Sequence, residues 1–313
     1  MNAVVIKASR LSWEERPAPV AGNGELLVRV AAAGVNGADI AQRAGKYPPP
    51  PGVPEDQPGL ELAGTVEANG PGTRRFAPGD RVMSLASGAA QAELAVIPEM
   101  LAMPVPEQTD LVAAGGFPEV FATAHDALFT QAHLAMGERV LVTGAAGGVG
   151  LAAVQLALAA GASVVASARD QSVHSRLAAL GAEAATPDGA REMGPYDVVI
   201  ELVGAPSLEQ VLPALAERGR IVVIGTGAGG RLELDLHQLM RNKAVVRGST
   251  LRARPLEEKA LVTRALERHA VPLLAAGRIT VPVAATYPFT EAQAAYERFA
   301  AGSKFGKIVL VAV

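Results

Sequence analysis

Residues 140–168 carry no charged side chain. Such a stretch must lie away from water, and it is longer than the ~20 residues that cross a bilayer. A membrane helix is nevertheless a poor account of it. Gly144, Gly147, Gly148, Gly150 and Gly161 interrupt it, Gln155 sits at its centre, and it ends in the β-type run SVVASA. A buried strand (RVLV), a glycine turn, a helix over 148–160, a second turn and a second strand reproduce the same composition. The first expectation is therefore a βαβ unit of about 30 residues.

The turn, TGAAGGVG at 143–150, narrows what that unit does. The dinucleotide fingerprint G-x-G-x-x-G appears as Ala145-Ala146-Gly147-Gly148-Val149-Gly150, with alanine at its first position. Gly147 lets the backbone approach a pyrophosphate and Gly150 lets helix and sheet pack closely. The helix start offers unpaired N–H groups and the positive end of its dipole. Ala145, Ala146, Gly147, Gly148 and Val149 are the expected phosphate cradle; a turn that merely needs glycine is the alternative.

The residue that reads the adenosine ribose belongs ~20 positions on, at the end of the second strand. There the chain reads Ser167-Ala168-Arg169-Asp170. Ala168 stands where an NAD enzyme usually presents Asp or Glu, and Arg169 follows it. Without the carboxylate a 2′-phosphate is not repelled, and a guanidinium grips it through paired hydrogen bonds. NADPH is thus expected over NADH, with Ser167 and Arg169 beside it. Asp170 argues the other way, and an ordinary solvated Arg169 is the plain alternative.

The pattern along the chain changes character around this unit. Residues 1–113 show short β-like runs (AVVIKA, ELLVRVAAA, LAGTVEA, DRVMSLA, AQAELAVI) separated by Pro/Gly loops such as YPPPPGVP at 47–54. From 139 onward apolar runs alternate with helical segments: SVVASA then 171–180, YDVVIELV then 207–217, RIVVIG then 236–243, and AVVRGS. That alternation means a parallel sheet buried on both faces. The segment 255–276 reads as one helix, and the tail as a helix followed by the strand KIVLVAV. A chain of 313 residues exceeds one core. The expected fold is α/β, with a β-rich catalytic domain at 1–113 completed by 255–313, and a doubly wound parallel-sheet Rossmann domain at 114–254.

Composition excludes several functions. A net charge of −3 leaves no basic footprint for nucleic acid. Zero cysteines remove disulfides, thiolate metal sites and a Cys nucleophile. The five histidines (125, 133, 174, 237, 269) show no ligand spacing and are read as core or surface residues. No G-x-S-x-G elbow supports a hydrolase. The start MNAVVIKASRLSWEERP lacks a long apolar run, so a cytoplasmic protein is expected.

Four motifs carry a family resemblance: GVNGADIAQRAGKYPPPPG at 34–52, PGLELAGTV at 58–66, FPEVFATAHDAL at 117–128 and GSTLRARP at 248–255. Together they resemble the zinc-free quinone oxidoreductases of the medium-chain dehydrogenase/reductase superfamily, the tumour-suppressor-inducible subgroup above all. The resemblance runs end to end. It implies a GroES-like domain closed by the C-terminal segment, an inserted Rossmann domain and a homodimer. It also implies that Thr123, Gly225, Thr226, Leu251 and Lys304 line the cofactor. Family members carry a Lys past the second strand for the 2′-phosphate; the matching position is Val173, so Arg169 or Arg176 has to compensate. The segment TPDGAREMGP is shorter than its family counterpart and lacks a Tyr often found near that phosphate.

Compared with the zinc alcohol dehydrogenases of the superfamily, Asn36 replaces a catalytic Cys and Leu60 replaces the His before Glu61. Neither is a zinc ligand of the usual kind, and no catalytic metal is expected. Without a metal to polarise a carbonyl, the acceptor has to be electrophilic already, as a quinone or a conjugated enal or enone is. Asn36 and Tyr47 are the expected hydrogen-bond donors at the accepting oxygen, Tyr47 also as a lid, with Asp39 ordering their loop. Plainer roles stand beside these: Asn36 capping a turn, Tyr47 packing among prolines, Asp39 answering a helix dipole, and Glu61 buried and paired. The leading expectation is a metal-independent, NADPH-dependent quinone oxidoreductase acting on a small molecule, with no nucleic-acid or membrane partner. A reductase of conjugated C=C bonds in enals, enones or enoyl thioesters, with Tyr47 as proton donor, and an NADPH-binding protein of little turnover are the other readings.

Overall fold

The computed structural model of the chain describes residues 1–312. They form two compact units, one of residues 1–122 together with the chain from 251 onward, the other of residues 123–250. The sequence reading set these junctions at 113 and 255.

The second unit is a parallel sheet of six strands. In chain order they are Arg139–Val142, Ser163–Ser167, Glu183–Ala185, Tyr196–Glu201, Leu215–Val223 and Val245–Gly248. Their spatial order is third, second, first, fourth, fifth, sixth. The order reverses between the first and fourth strands, so the loops leaving their carboxyl ends splay apart there, the position at which such sheets take nucleotides. Leu141, Val165, Val199 and Ile221 fill its core from four successive strands. The uncharged stretch resolves into strand Arg139–Val142, helix Gly148–Ala159 and strand Ser163–Ser167. Residues Gly150–Ala157 of that helix are all buried. Among the described residues no helix is long and apolar enough to cross a membrane.

The structure differs from the sequence reading in a few elements. The strand Glu183–Ala185 has three residues, too few for periodicity to reveal. The helix expected over 207–217 runs over Ala205–Val211, tightens into a 3-10 turn at Leu212–Ala214, and gives way to a strand at Leu215. Pro213 lacks the N–H that would continue the helix. The helix expected over 255–276 is two, Leu256–His269 and Val271–Ala275, with Pro272 just after the break. The segment 171–180 begins as a 3-10 turn, Gln171–Val173, before the helix His174–Ala179.

In the first unit a seven-stranded sheet is organised on the eleven-residue strand Glu25–Val35. One end pairs antiparallel with Glu61–Asn69 and Leu94–Pro98; the other pairs with the C-terminal strand Lys307–Val311, in register Ile308 to Val35. That register sets Lys307 beside the point where the strand turns at Asn36 into the helix Gly37–Arg43. Val30, Leu62, Ile97, Tyr296 and Ile308 are core residues of this unit.

One position tests the close packing of the glycine turn. A Cβ on Gly150 would stand 2.6 Å from the Gly144 carbonyl oxygen and 2.7 Å from Ala145 Cα, both backbone atoms. Gly150→Ala is expected to cost about 1–3 kcal/mol of stability, read as a lower urea midpoint at unchanged slope; an unchanged midpoint contradicts the packing.

Candidate functional site

The nucleotide end of the second unit is made mostly of backbone. Gly147 caps the helix Gly148–Ala159 in an extended conformation, and no side chain bonds to that helix start. Its first N–H groups are therefore directed at whatever approaches from the loop. Gly147 differs from Gly150: a Cβ there would meet only the Gly144 carbonyl oxygen, at 3.5 Å. The packing of the fold does not require glycine at 147. Ala145 is fixed to the second strand, its N–H donating to the Ser167 carbonyl at 3.0 Å. On the neighbouring loop the Glu201 carboxylate, fully buried, accepts from the N–H groups of Val203 (2.7 Å) and Gly204 (2.9 Å) and from the Ser207 hydroxyl (2.9 Å). Gly225 packs against this loop, donating its N–H to the Glu201 carbonyl at 3.1 Å, and Thr226 follows it.

Arg169 is exposed at the end of the second strand and makes no hydrogen bond or ion pair among the described residues. Asp170 is turned away into a local cap, accepting from Ser172 N–H (3.0 Å) and Ser172 Oγ (2.6 Å), which holds its carboxyl below the usual range. Val173, in the place of the family Lys, is buried. Arg176 lies in the last turn of its short helix, and Thr123 on the helix Pro118–His125. Leu251 and Lys304 belong to the first unit; Leu251 is buried, and the Lys304 ammonium lies 3.8 Å from the Phe299 ring centroid, its pKa lowered by burial to about 8.

In the first unit the residues Asn36, Asp39 and Glu61 meet around a lysine. The Lys307 ammonium, 3% exposed, contacts Glu61 Oε1 at 2.6 Å and donates to Asn36 Oδ1 at 2.7 Å and to the Val35 carbonyl at 3.0 Å. Its three hydrogens are thereby used. Asn36 Nδ2 donates to Glu61 Oε1 at 2.9 Å and to the Gly34 carbonyl at 3.4 Å, so both faces of the Asn36 amide are engaged inside the protein. Asn36 and Asp39 also form a helix start. The Asp39 carboxylate accepts from Asn36 N–H at 2.8 Å and from Gly59 N–H at 3.0 Å, tying the first turn of Gly37–Arg43 to the 58–66 motif. Burial pushes Asp39 up to about 6 against those two donors and the Lys307 and Arg252 charges. Glu61 is fully buried and paired, its second oxygen accepting from Glu119 N–H at 2.9 Å.

Tyr47 is partly buried beside a second group of cations. Arg252 lies with its guanidinium 5.5 Å from the Tyr47 ring centroid and donates to Gln42 Oε1 (2.7 Å), the Ser87 carbonyl (2.8 Å) and the Tyr47 carbonyl (3.4 Å). Lys259 donates to Ser87 Oγ at 2.7 Å. Both cations are buried and neither has an ion-pair partner among the described residues; desolvation lowers both pKa values. Two positive charges held this way favour a ligand that carries or develops negative charge. Lys307, Arg252, Lys259 and Glu119 escaped the sequence reading of candidate residues, although Arg252 and Glu119 lie within quoted motifs. Only the tertiary pairing reveals that Lys307, in an apolar terminal strand, is buried.

Comparison with known proteins identifies the architecture. Residues 22–131 match the alcohol dehydrogenase GroES-like domain and residues 161–310 the zinc-binding dehydrogenase family. The quinone oxidoreductase of Mus musculus is 31% identical over 94% of this chain and 91% of its own length. The chain belongs to the quinone oxidoreductases of the medium-chain dehydrogenase/reductase superfamily. Bovine prostaglandin reductase-3 is 34% identical over 82% of this chain and 68% of its own length. The quinone oxidoreductase of Thermus thermophilus, solved also in complex with NADPH, superposes with a TM-score of 0.86 at 33% identity, covering 99% of this chain and all of that one. As in that family, an oxidoreductase, the chain pairs a GroES-like domain with a nucleotide-binding sheet.

The zinc named for one matching family does not suit the residues present. The acceptors that would face it, Asn36 Oδ1 and Glu61 Oε1, already hold the Lys307 ammonium within 2.7 Å. A divalent ion there would meet a full positive charge and an amide in place of a thiolate. Among the described residues no group of three or more His, Cys, Asp or Glu side chains could hold a metal ion.

Lys307→Met leaves a buried, unpaired carboxylate at Glu61 and is expected to cost about 3–5 kcal/mol. The double variant with Glu61→Gln is expected to recover most of it, measured by urea denaturation; equal losses in single and double variants would show that the pair is not coupled. Gly147→Ala is expected to keep the wild-type melting temperature while cofactor affinity, measured by calorimetry, falls at least about tenfold.

Proposed function

We propose that the protein is a metal-independent, NADPH-dependent quinone oxidoreductase. The observation that carries this reading is the Lys307 ammonium locked between Asn36 and Glu61, in the place where a zinc enzyme polarises its substrate. Lacking that Lewis acid, the site suits an acceptor whose own π-system spreads the charge. When bound, NADPH supplies the hydride. Gly147 and the start of the helix Gly148–Ala159 would hold its pyrophosphate, and Arg169, without a partner among the described residues, its 2′-phosphate. Tyr47 is the proposed donor at the accepting oxygen: burial above all raises its pKa and keeps its phenol protonated. Asn36 and Asp39, engaged inward, serve as positioning residues that hold the chain leading to Tyr47.

A second reading, reduction of conjugated C=C bonds, is favoured by the likeness to prostaglandin reductase-3, since the same phenol could protonate the α-carbon. We further infer a cytoplasmic homodimer. The outer edge of strand Val245–Gly248 is unpaired among the described residues, and Leu236, Met240 and Val245 near it in sequence are exposed.

The deciding experiment is oxidation of NADPH, and in parallel NADH, by 1,4-benzoquinone, a naphthoquinone and a 2-alkenal with chelator present. Fast quinone turnover is expected. Reduction of the alkenal alone moves the protein to the alkene reductases; silence on all three leaves a nucleotide-binding protein, and loss on chelation restored by zinc overturns the metal-free site. Arg169→Ala is expected to weaken NADPH by about 1.5–3 kcal/mol with little effect on NADH; equal losses would show that Arg169 does not meet the 2′-phosphate.

A further inference from the structure

We propose that Arg252 and Gln42 form a clamp that fixes the loop 47–55 at both ends and so sets where the Tyr47 phenol meets the acceptor; this rests on the reading of Tyr47 as proton donor above. The loop, YPPPPGVPE, contains five prolines. Proline has no backbone N–H, so residues 48–51 can only accept hydrogen bonds, and the donors have to come from elsewhere. Among the described residues one backbone bond lies wholly within the loop, from Val53 N–H to the Pro50 carbonyl at 3.3 Å.

Side chains hold the two ends from outside. Arg252 Nη1 donates to the Tyr47 carbonyl at 3.4 Å, and Gln42 Nε2 donates to the Glu55 carbonyl at 2.9 Å. The two holders are bonded to each other, Arg252 Nη2 donating to Gln42 Oε1 at 2.7 Å. Both ends of the loop therefore hang on one buried pair, Arg252 being 4% and Gln42 6% exposed. Position 42 has to accept and donate at once, which an amide does and a carboxylate does not. The pair is anchored in turn. Arg252 Nε donates to the Ser87 carbonyl at 2.8 Å, and Lys259 Nζ donates to the Ser87 hydroxyl at 2.7 Å and the Arg252 carbonyl at 3.3 Å. The three guanidinium nitrogens thus reach three different segments of chain, a spread that the point charge of a lysine does not reproduce.

The same guanidinium lies 5.5 Å from the Tyr47 ring centroid, within the range of a cation–π contact. Its charge also bears on the proton. Burial above all raises the Tyr47 pKa, and the Arg252 charge acts against that rise. When the phenolic O–H bond breaks and the proton passes to the reduced acceptor, the phenolate forms beside a cation already in place, and solvent returns the proton afterwards.

The test follows the Tyr47 ring first without substrate and then in turnover. With fluorotyrosine at the four tyrosines, the fluorine NMR signal lost in Tyr47→Phe reports the ring. Gln42→Met removes the donor to Glu55 and the acceptor of Arg252 while leaving the guanidinium itself. It is expected to shift or broaden the Tyr47 signal and to leave that of Tyr196, in the other unit, in place. An unmoved Tyr47 signal overturns the clamp. Arg252→Lys, which keeps the charge and loses the fork, is expected to displace the same signal. If Gln42→Met does not fold, Gln42→Glu, which keeps the acceptor and loses the donor, is read in its place.

In turnover the Gln42→Met holoenzyme is expected to lose about 10²-fold in kcat for the quinone with NADPH affinity kept. In a Tyr47→Phe background the same substitution is expected to change kcat by less than about twofold, because the group being positioned is gone. An equal loss in both backgrounds overturns the positioning role. A wild-type protein inert toward all acceptors, or a Tyr47→Phe variant with wild-type turnover, overturns the donor reading and this role with it. A Tyr47 signal that Gln42→Met still displaces then shows that the donor reading, not the clamp, was the part that failed.

Discussion

The buried contact of Lys307 with Glu61 and Asn36 is the constraint on which the first unit depends. It joins three pieces of chain distant in sequence: the turn ending strand Glu25–Val35, the start of strand Glu61–Asn69 and the start of the C-terminal strand. Charges so deeply buried are tolerable only when nearly every donor and acceptor is matched, and here the ammonium has three acceptors and the carboxylate three donors. The register that aligns Ile308 with Val35 is thus fixed by polar chemistry as well as by apolar packing. A zinc site of the same superfamily would place a metal and its thiolate here; this chain places the Lys307 ammonium.

The two units build their candidate sites by different means. The nucleotide end relies on backbone N–H groups, a helix start and glycines, so its geometry follows from the turn itself. The other unit gathers side chains whose pKa values burial shifts, Asp39 and Glu119 upward and Arg252 and Lys259 downward, the two cations having no ion-pair partner among the described residues. Titratable groups pushed apart in this way commonly mark sites of proton transfer.

How much could be read from the sequence follows from the range of the interactions. The βαβ unit around TGAAGGVG, the alternation beyond it and the terminal helix and strand are local patterns, and they reappear within a few residues of their expected limits. Elements shorter than a period were lost, as at Glu183–Ala185, and so was the early end of the helix before Leu215, where the stop at Pro213 was overlooked. The buried, paired character of Glu61 was legible from the sequence because its zinc-side role in the superfamily has no metal to serve beside Asn36 and Leu60. The partner was not legible, since it lies 246 residues away.

By itself the sequence determined the parallel nucleotide-binding sheet, the glycine turn after its first strand, the absence of cysteine and the family, because each is written in the residues themselves. Only the tertiary structure decided that Asn36 faces inward, that Lys307 occupies the centre of the cluster, and that burial raises the Asp39 and Glu119 carboxyls. Those properties arise from desolvation and from charges brought together across the whole unit, and no local pattern encodes the dielectric around a side chain.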